Sequence, residues 1–184
     1  MSTVSTAVAS AWRVDPAHSS VEFAVRHLMI STVKGRFADV SGTLAGDETD
    51  LENASIDLTI PVGGIDTHEG QRDAHLRSAD FFDSEHHPAI TFRSTKIARA
   101  DSNSFTVTGD LTIRGVSKPI ILTVHAGGRG RDPWGGERIG YSTTTRINRK
   151  DFGLNWNQAL ETGGVLVGDQ VTISVELQLV RTSN

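Results

Sequence analysis

Apolar and polar residues alternate with a period of two over much of this chain, and that pattern limits its fold more than any other feature. In VTISVELQLV the odd positions Val171, Ile173, Val175, Leu177 and Leu179 are apolar, while Thr172, Ser174, Glu176 and Gln178 between them are polar. ASIDLTI sets Ile56, Leu58 and Ile60 against Ser55, Asp57 and Thr59. SVEFAVR sets Val21, Phe23 and Val25 against Glu22 and Arg26. Successive side chains of a strand point to opposite faces, so these runs are antiparallel strands with one dry and one wet face. Further strands are expected at 33–45, 88–99, 104–114, 118–127 and 138–149. Short hairpins at ADSNS (100–104) and RGVSK (114–118) join some of them, and a longer glycine-rich loop fills GGRGRDPWGGER (127–138).

Eight or nine such strands make a mainly β protein. No repeat or linker divides them, so residues 12–181 read as one domain behind a short flexible lead, MSTVSTAVASA, at 1–11. A meander of this kind closes on itself because closure removes the unpaired edges of a long sheet. About eight strands enclose a space just wide enough for side chains or one small ligand. An open sandwich is the alternative.

One segment breaks the alternation. In DTHEGQRDAHLRSADFF (66–82), Asp66 and Glu69 have the spacing of a capping box, which predicts a helix over 68–78. A shorter helical turn is expected in NWNQALE, 155–161. The helical connection carries Leu76, Phe81 and Phe82, although connections are usually polar. These three are either a plug of ordinary core or the rim of an apolar cavity.

Several chemistries are excluded or left without a motif. With no cysteine, disulfides, thiolate metal sites and cysteine nucleophiles are absent. A net charge of −4 argues against a nucleic-acid partner, and no apolar run reaches the ~18 residues of a transmembrane helix. His68 and His75 share a helix face but stand about 10.5 Å apart along its axis, too far for one metal ion. There is no G-x-S-x-G elbow, and the glycine-rich loop lacks the G-K-[ST] ending of a phosphate loop. The expectation is a binding protein, not an enzyme, that requires no cofactor or metal. The apolar run KPIILTV (118–124) suits either a homodimer interface or a strand buried on both sides.

Four blocks in order carry a family resemblance: WRVDPAHSSVEFAVRHLMISTVKGRFADVSGTL (12–44), DTHEGQRDAHLRSADFFDSEHHPAITFRST (66–95), VTGDLTIRGVSKPIILTV (107–124) and INRKDFGLNWN (147–157). Together they resemble the YceI-like family across 12–180. That resemblance implies an extended lipocalin-like antiparallel barrel with a helix-bearing insertion near its mouth. It also implies a long polyisoprenoid ligand, a polyprenyl diphosphate or a prenylated quinone, held in an apolar tunnel for carriage, storage or sequestration. The alternatives are an enzyme acting on such a lipid, or a stress-related scaffold that binds none. Alternation inside the matched blocks proposes the lining: Phe23 and Val25, then Phe37, then Ile56, Leu58 and Ile60. Ile90 and Phe92, then Leu111 and Ile113, continue it, with Leu76, Phe81 and Phe82 as the rim. For a charged head group at the mouth, Arg72, His75 and Arg77 are the candidates; a solvated helix face is their other reading. The lead lacks a basic region and an apolar stretch, so the cytoplasm is the expected compartment, with the periplasm, where many family members work, as the alternative.

Overall fold

The computed structural model describes residues 11–182. Residues 1–10 of the expected lead lie outside it, and Ala11 already belongs to a strand. In chain order the elements are β1 (Ala11–Val14), β2 (Ser20–His27), β3 (Ser31–Phe37), β4 (Ser41–Ala45), β5 (Ser55–Pro61) and β6 (Ile65–Asp66). The helix α1 (Gly70–Arg77) follows, then β7 (Ala89–Arg99), β8 (Ser104–Ile113), β9 (Val116–Arg131), β10 (Glu137–Asn148) and β11 (Val167–Arg181).

Eight strands form a closed antiparallel ring in the order β1-β4-β5-β7-β8-β9-β10-β11, which the β1–β11 pairing completes. This is the lipocalin-like barrel, not the open sandwich. The other three strands prolong ring members toward one end. β1 pairs with the last residues of β11 (Val14↔Leu179), and β2 with its earlier ones, from Ser20↔Glu176 to His27↔Val167. Between them Pro16 opens a 3-10 turn, capped where the Asp15 side chain accepts from the Ala17 amide. β3 likewise leads into β4, and β5 into β6. The strand expected over 33–45 is therefore two strands, interrupted where Val40 turns into the core at 2 % exposure.

The wall is continuous only at the end formed by β1, which we call the floor. Toward the other end, the lid end, the β9–β10 ladder stops at Ser142↔His125, leaving Val116–Val124 and Thr143–Asn148 outside it. β5 leaves β7 beyond Pro61↔Ala89, and its continuation β6 pairs with β3 instead. The lid half of the barrel is thus two facing sheets, β7-β8-β9 and β10-β11-β2-β3-β6.

Three local expectations are corrected. The helix starts at Gly70, with Glu69 as its cap accepting from the Gln71 and Arg72 amides, and Asp66 caps His68 instead. The reason lies in Asp73, which accepts from both the Thr67 amide (2.9 Å) and hydroxyl (2.6 Å) and holds that residue off the helix axis. No helical turn forms at 155–161; a 3-10 turn forms earlier, at Arg149–Phe152, capped by Asn148 and ended by Gly153 at φ +78°. Finally, most of the 127–138 loop is strand, because Asp132 closes a tight turn by accepting from the Trp134 and Gly136 amides. KPIILTV is not buried on both sides: Ile120 faces inward, while Ile121 is 69 % exposed.

Candidate functional site

The alternation read from the sequence places one face of every ring strand toward the barrel axis. Together with Leu76, Phe81 and Phe82 from the lid, those faces enclose a cavity with room for the centre of a water-sized sphere throughout about 240 Å³. Its floor is packed shut by Trp12, Leu44, Ile139 and Leu179, all buried. At mid-height Phe23, Ile56, Leu58, Ile173, Val175 and Leu177 point inward yet are only partly buried, because they face the void. Two inward glycines make room for aromatic rings. A methyl on Gly35 would meet the Phe23 ring at 2.4 Å, and one on Gly109 would meet Phe92 at the same distance.

Thirteen of the fifteen expected site residues line this cavity: Phe23 and Val25, Phe37, Ile56, Leu58 and Ile60, Ile90 and Phe92, Leu111 and Ile113, and Leu76, Phe81 and Phe82. Arg72 and His75 do not. Arg72 is spent on its own connection, donating to the Thr67 hydroxyl (2.7 Å) and carbonyl (2.8 Å). Arg77 likewise donates to the carbonyls of Gly63 and Ile65. His75 turns sideways, hydrogen-bonded to Asp80 at 2.8 Å, and its ring stands edge-on to Phe81 and Trp156 at centroid distances of 5.1 and 4.6 Å.

That ring contact shows how the lid end is closed. Two covers span the facing sheets: the lid from 67 to 88, and a strap from 149 to 157. They meet where Phe81 packs on Trp156 at 5.3 Å. Arg114, at the β8–β9 turn, donates to the Phe81 carbonyl and pins the lid. Arg149 pins the strap: its buried guanidinium donates to the carbonyls of Leu154, Trp156, Val167 and Gly168. Burial lowers the Arg149 pKa, opposed by Asp169 nearby. The sequence reading missed Arg149, Trp156 and Tyr141. The first two lie in INRKDFGLNWN, whose order shows no alternation to mark an inward face; Tyr141 is found by extending the inward alternation to 138–149.

Chemically the cavity offers apolar surface and little else. Of the charged residues on its boundary, Glu22 is exposed on the outer face and Arg149 is consumed by carbonyls. Such a space excludes an ion and favours a long hydrocarbon.

Comparison with known proteins agrees with this geometry. The YceI-like domain model matches residues 12–179. A UPF0312 protein of Vibrio parahaemolyticus is 41 % identical over 138 residues, covering 75 % of this chain and 73 % of that protein. The crystal structure of Burkholderia cenocepacia BcnA superposes with a TM-score of 0.78 at 26 % identity, covering 90 % of this chain and 98 % of that one. A polyisoprenoid binding domain from Saccharophagus degradans has a TM-score of 0.71 at 15 % identity, covering 93 % and 98 %, a likeness of fold.

Proposed function

Since this chain belongs to the YceI-like domain family, we propose that it binds a long-chain polyisoprenoid lipid inside its barrel, for carriage, storage or sequestration, and performs no chemistry on it. The observation that carries this reading is the apolar cavity closed by a packed floor and a two-part cover. The polyisoprenoid binding described for the Saccharophagus domain supports the ligand class.

The dimensions suit such a ligand. Lining positions on β11 run from Val171 to Val175 and on to Leu179. Eight steps of ~3.3 Å give about 26 Å along the strand, or about 20 Å of depth after the tilt of an eight-stranded barrel. An extended isoprene unit of four carbon–carbon bonds spans roughly 5 Å, so about four units fit before a chain must fold back or protrude. Burying about 20 carbons at ~0.8 kcal/mol each is worth roughly 16 kcal/mol before the costs of association and ordering, and those costs offset much of it. Micromolar binding needs about 8 kcal/mol of that sum to survive, so it follows where the costs take no more than about half.

The test is organic-solvent extraction of protein purified from its native host, with mass spectrometry of the released lipid. A stoichiometric polyprenyl compound is expected. An empty protein that also fails to take up prenyl quinones, prenyl diphosphates and isoprenoid hydrocarbons would remove the proposal.

A further inference from the structure

The turn that joins β2 to β3 at the lid end breaks two rules at once. Its central residues are Leu28 and Met29, and the Ile30 amide closes it by donating to the His27 carbonyl at 3.1 Å. Both central residues have positive φ, +55° at Leu28 and +60° at Met29. That is the two-residue hairpin turn for which Asn-Gly is the favoured pair, and a leucine or methionine is strained there. The strain is not offset by burial in the core. Met29 is 62 % and Ile30 77 % exposed, and neither packs against the core cluster. The other large apolar side chains with comparable exposure among the described residues, Ile121 and Trp134, lie on β9 and on the β9–β10 turn, apart from this pair. A strained backbone that presents bare apolar side chains points to a contact with something outside the chain.

The tip is tied to the strap that covers the cavity. The Leu28 amide donates to the Leu166 carbonyl at 2.9 Å, Asn157 holds both the amide and the carbonyl of Val167, and Arg149 donates to that same carbonyl. The loop so tethered, 158–166, adds the exposed Val165, and its Gly164 lies close to the Met29 side chain. Charge is arranged around this apolar tip. The β2–β3 hairpin carries Arg26, Lys34 and Arg36 against one acid, Glu22, in a chain of net charge −4. Arg36 meets Asp66 at 3.6 Å, but Arg26 and Lys34 form no ion pair among the described residues. Arg26 stands at the base of the tip, donating to the Met29 carbonyl at 3.0 Å. The tethered loop holds a single acid, Glu161, whereas Asp47, Glu48, Asp50 and Glu52 follow β4 at the floor end. Two or three apolar side chains are too few for a stable protein interface. They suit a bilayer surface, where apolar groups enter the boundary of head groups and acyl chains and cations meet anionic lipids.

Resting on the lipid-binding reading, we propose that the Leu28–Ile30 tip docks the barrel on an anionic phospholipid surface. Met29 and Ile30 enter the bilayer boundary, Arg26 and Lys34 meet lipid phosphates, and the strap side of the lid end comes to rest against the membrane. An isoprenoid then passes between bilayer and barrel without crossing water.

Flotation of the full chain with vesicles of phosphatidylcholine, alone or mixed with phosphatidylglycerol, tests this. Native protein should bind the mixed vesicles, and less so at high salt. Met29→Gly combined with Ile30→Ser removes the apolar tip, and glycine suits the positive φ. That variant should melt no lower than native protein while binding vesicles roughly tenfold more weakly. Because the chain has no cysteine, a polarity-sensitive dye can be placed at one position. On Ile30→Cys its emission should shift to the blue with vesicles; on Ile121→Cys, a bare position on the barrel side, it should not. No vesicle binding, equal binding by native protein and variant, or a shift at 121 and not at 30 would each overturn the docking surface. So would a native dimer that the variant dissolves, because a second copy would then cover the tip. Uptake of a prenylated benzoquinone from detergent, without vesicles, is measured alongside. Uptake that persists when docking fails leaves the lipid-binding reading intact; docking without any uptake would overturn that reading and the delivery role of the tip with it.

Discussion

Phe81 and Phe82 are adjacent in sequence but do different work. Phe81 is 6 % exposed and holds lid to strap through His75 and Trp156, while Phe82 is half-buried, lines the cavity and, among the rings of the described residues, meets Phe37 alone, edge-on at 6.0 Å. Phe81→Ala should therefore cost about 3–4 kcal/mol of stability, and Phe82→Ala about 1–2 kcal/mol, in proportion to the smaller area it removes from water. Urea denaturation measures both; equal losses would show that Phe82 is ordinary core. Serine at both positions at once would confound folding with ligand retention, whereas Phe82→Ser alone probes the cavity. Arg149 offers a third residue-scale test. Replacing it with methionine fills the volume but leaves four inward carbonyls without a donor, which should cost about 3 kcal/mol. A loss below 0.5 kcal/mol, on the scale of an ordinary surface substitution, would mean that those carbonyls find water and that the guanidinium does not hold the strap.

At the scale of elements, the distinctive feature is that the ring is laddered all the way round only near the floor. β10 is paired with β11 along its whole length, from Arg138↔Val180 to Asn148↔Gln170, but with β9 only from Glu137 to Ser142. Backbone amides from Thr143 to Asn148 alternate between pointing at β11 and pointing at β9. Native-state hydrogen exchange should accordingly show strong and weak protection alternating along this stretch, against uniform protection in β8, which is paired on both sides. Uniform protection from 143 to 148 would mean that the wall is sealed there. An open seam and a two-part cover leave the lid end the less stable half, so the ligand proposed for this barrel is expected to pass through that end and not through the packed floor.

For the whole molecule, charge is concentrated where the apolar floor meets solvent. Arg138 bridges Asp15 (2.6 Å) and Asp132 (3.0 Å), Arg181 meets Glu137 (2.6 Å), and Arg129 meets Glu48 while lying over the Trp12 ring at 5.8 Å. Hydrogen bonds from Arg138 and His18 lower the Asp15 pKa; Arg129 does so for Glu48 and Arg181 for Glu137, while the Gly136 amide and Arg138 lower that of Asp132. A carboxyl whose folded pKa lies below its unfolded value contributes stability above the unfolded pKa, near 4, and loses it as pH falls through the folded one. Thermal unfolding should thus occur at a constant temperature from neutral pH down to about 5 and at steadily lower temperature below about 4, with the acid sensitivity reduced in high salt. A melting temperature that does not change between pH 7 and 3 would show that these pairs are too screened to matter.

The sequence by itself determined which residues face the barrel axis, because alternation is a local property of a strand and one buried face forces the register. That is why all ten strand residues chosen from it line one cavity. It also determined that the helical connection would be apolar where it meets the barrel. Only the tertiary structure decided what the polar residues do, because a cation or hydroxyl is defined by its partners, and those come from elsewhere in the chain. Arg72 looks free in sequence and is spent on Thr67; Arg149 looks like a surface cation and is the buried tie of the strap; His75 finds Trp156, 81 positions away, as a packing partner. The closed floor and the incomplete wall likewise follow from where ladders begin and end around the ring, which no single strand records.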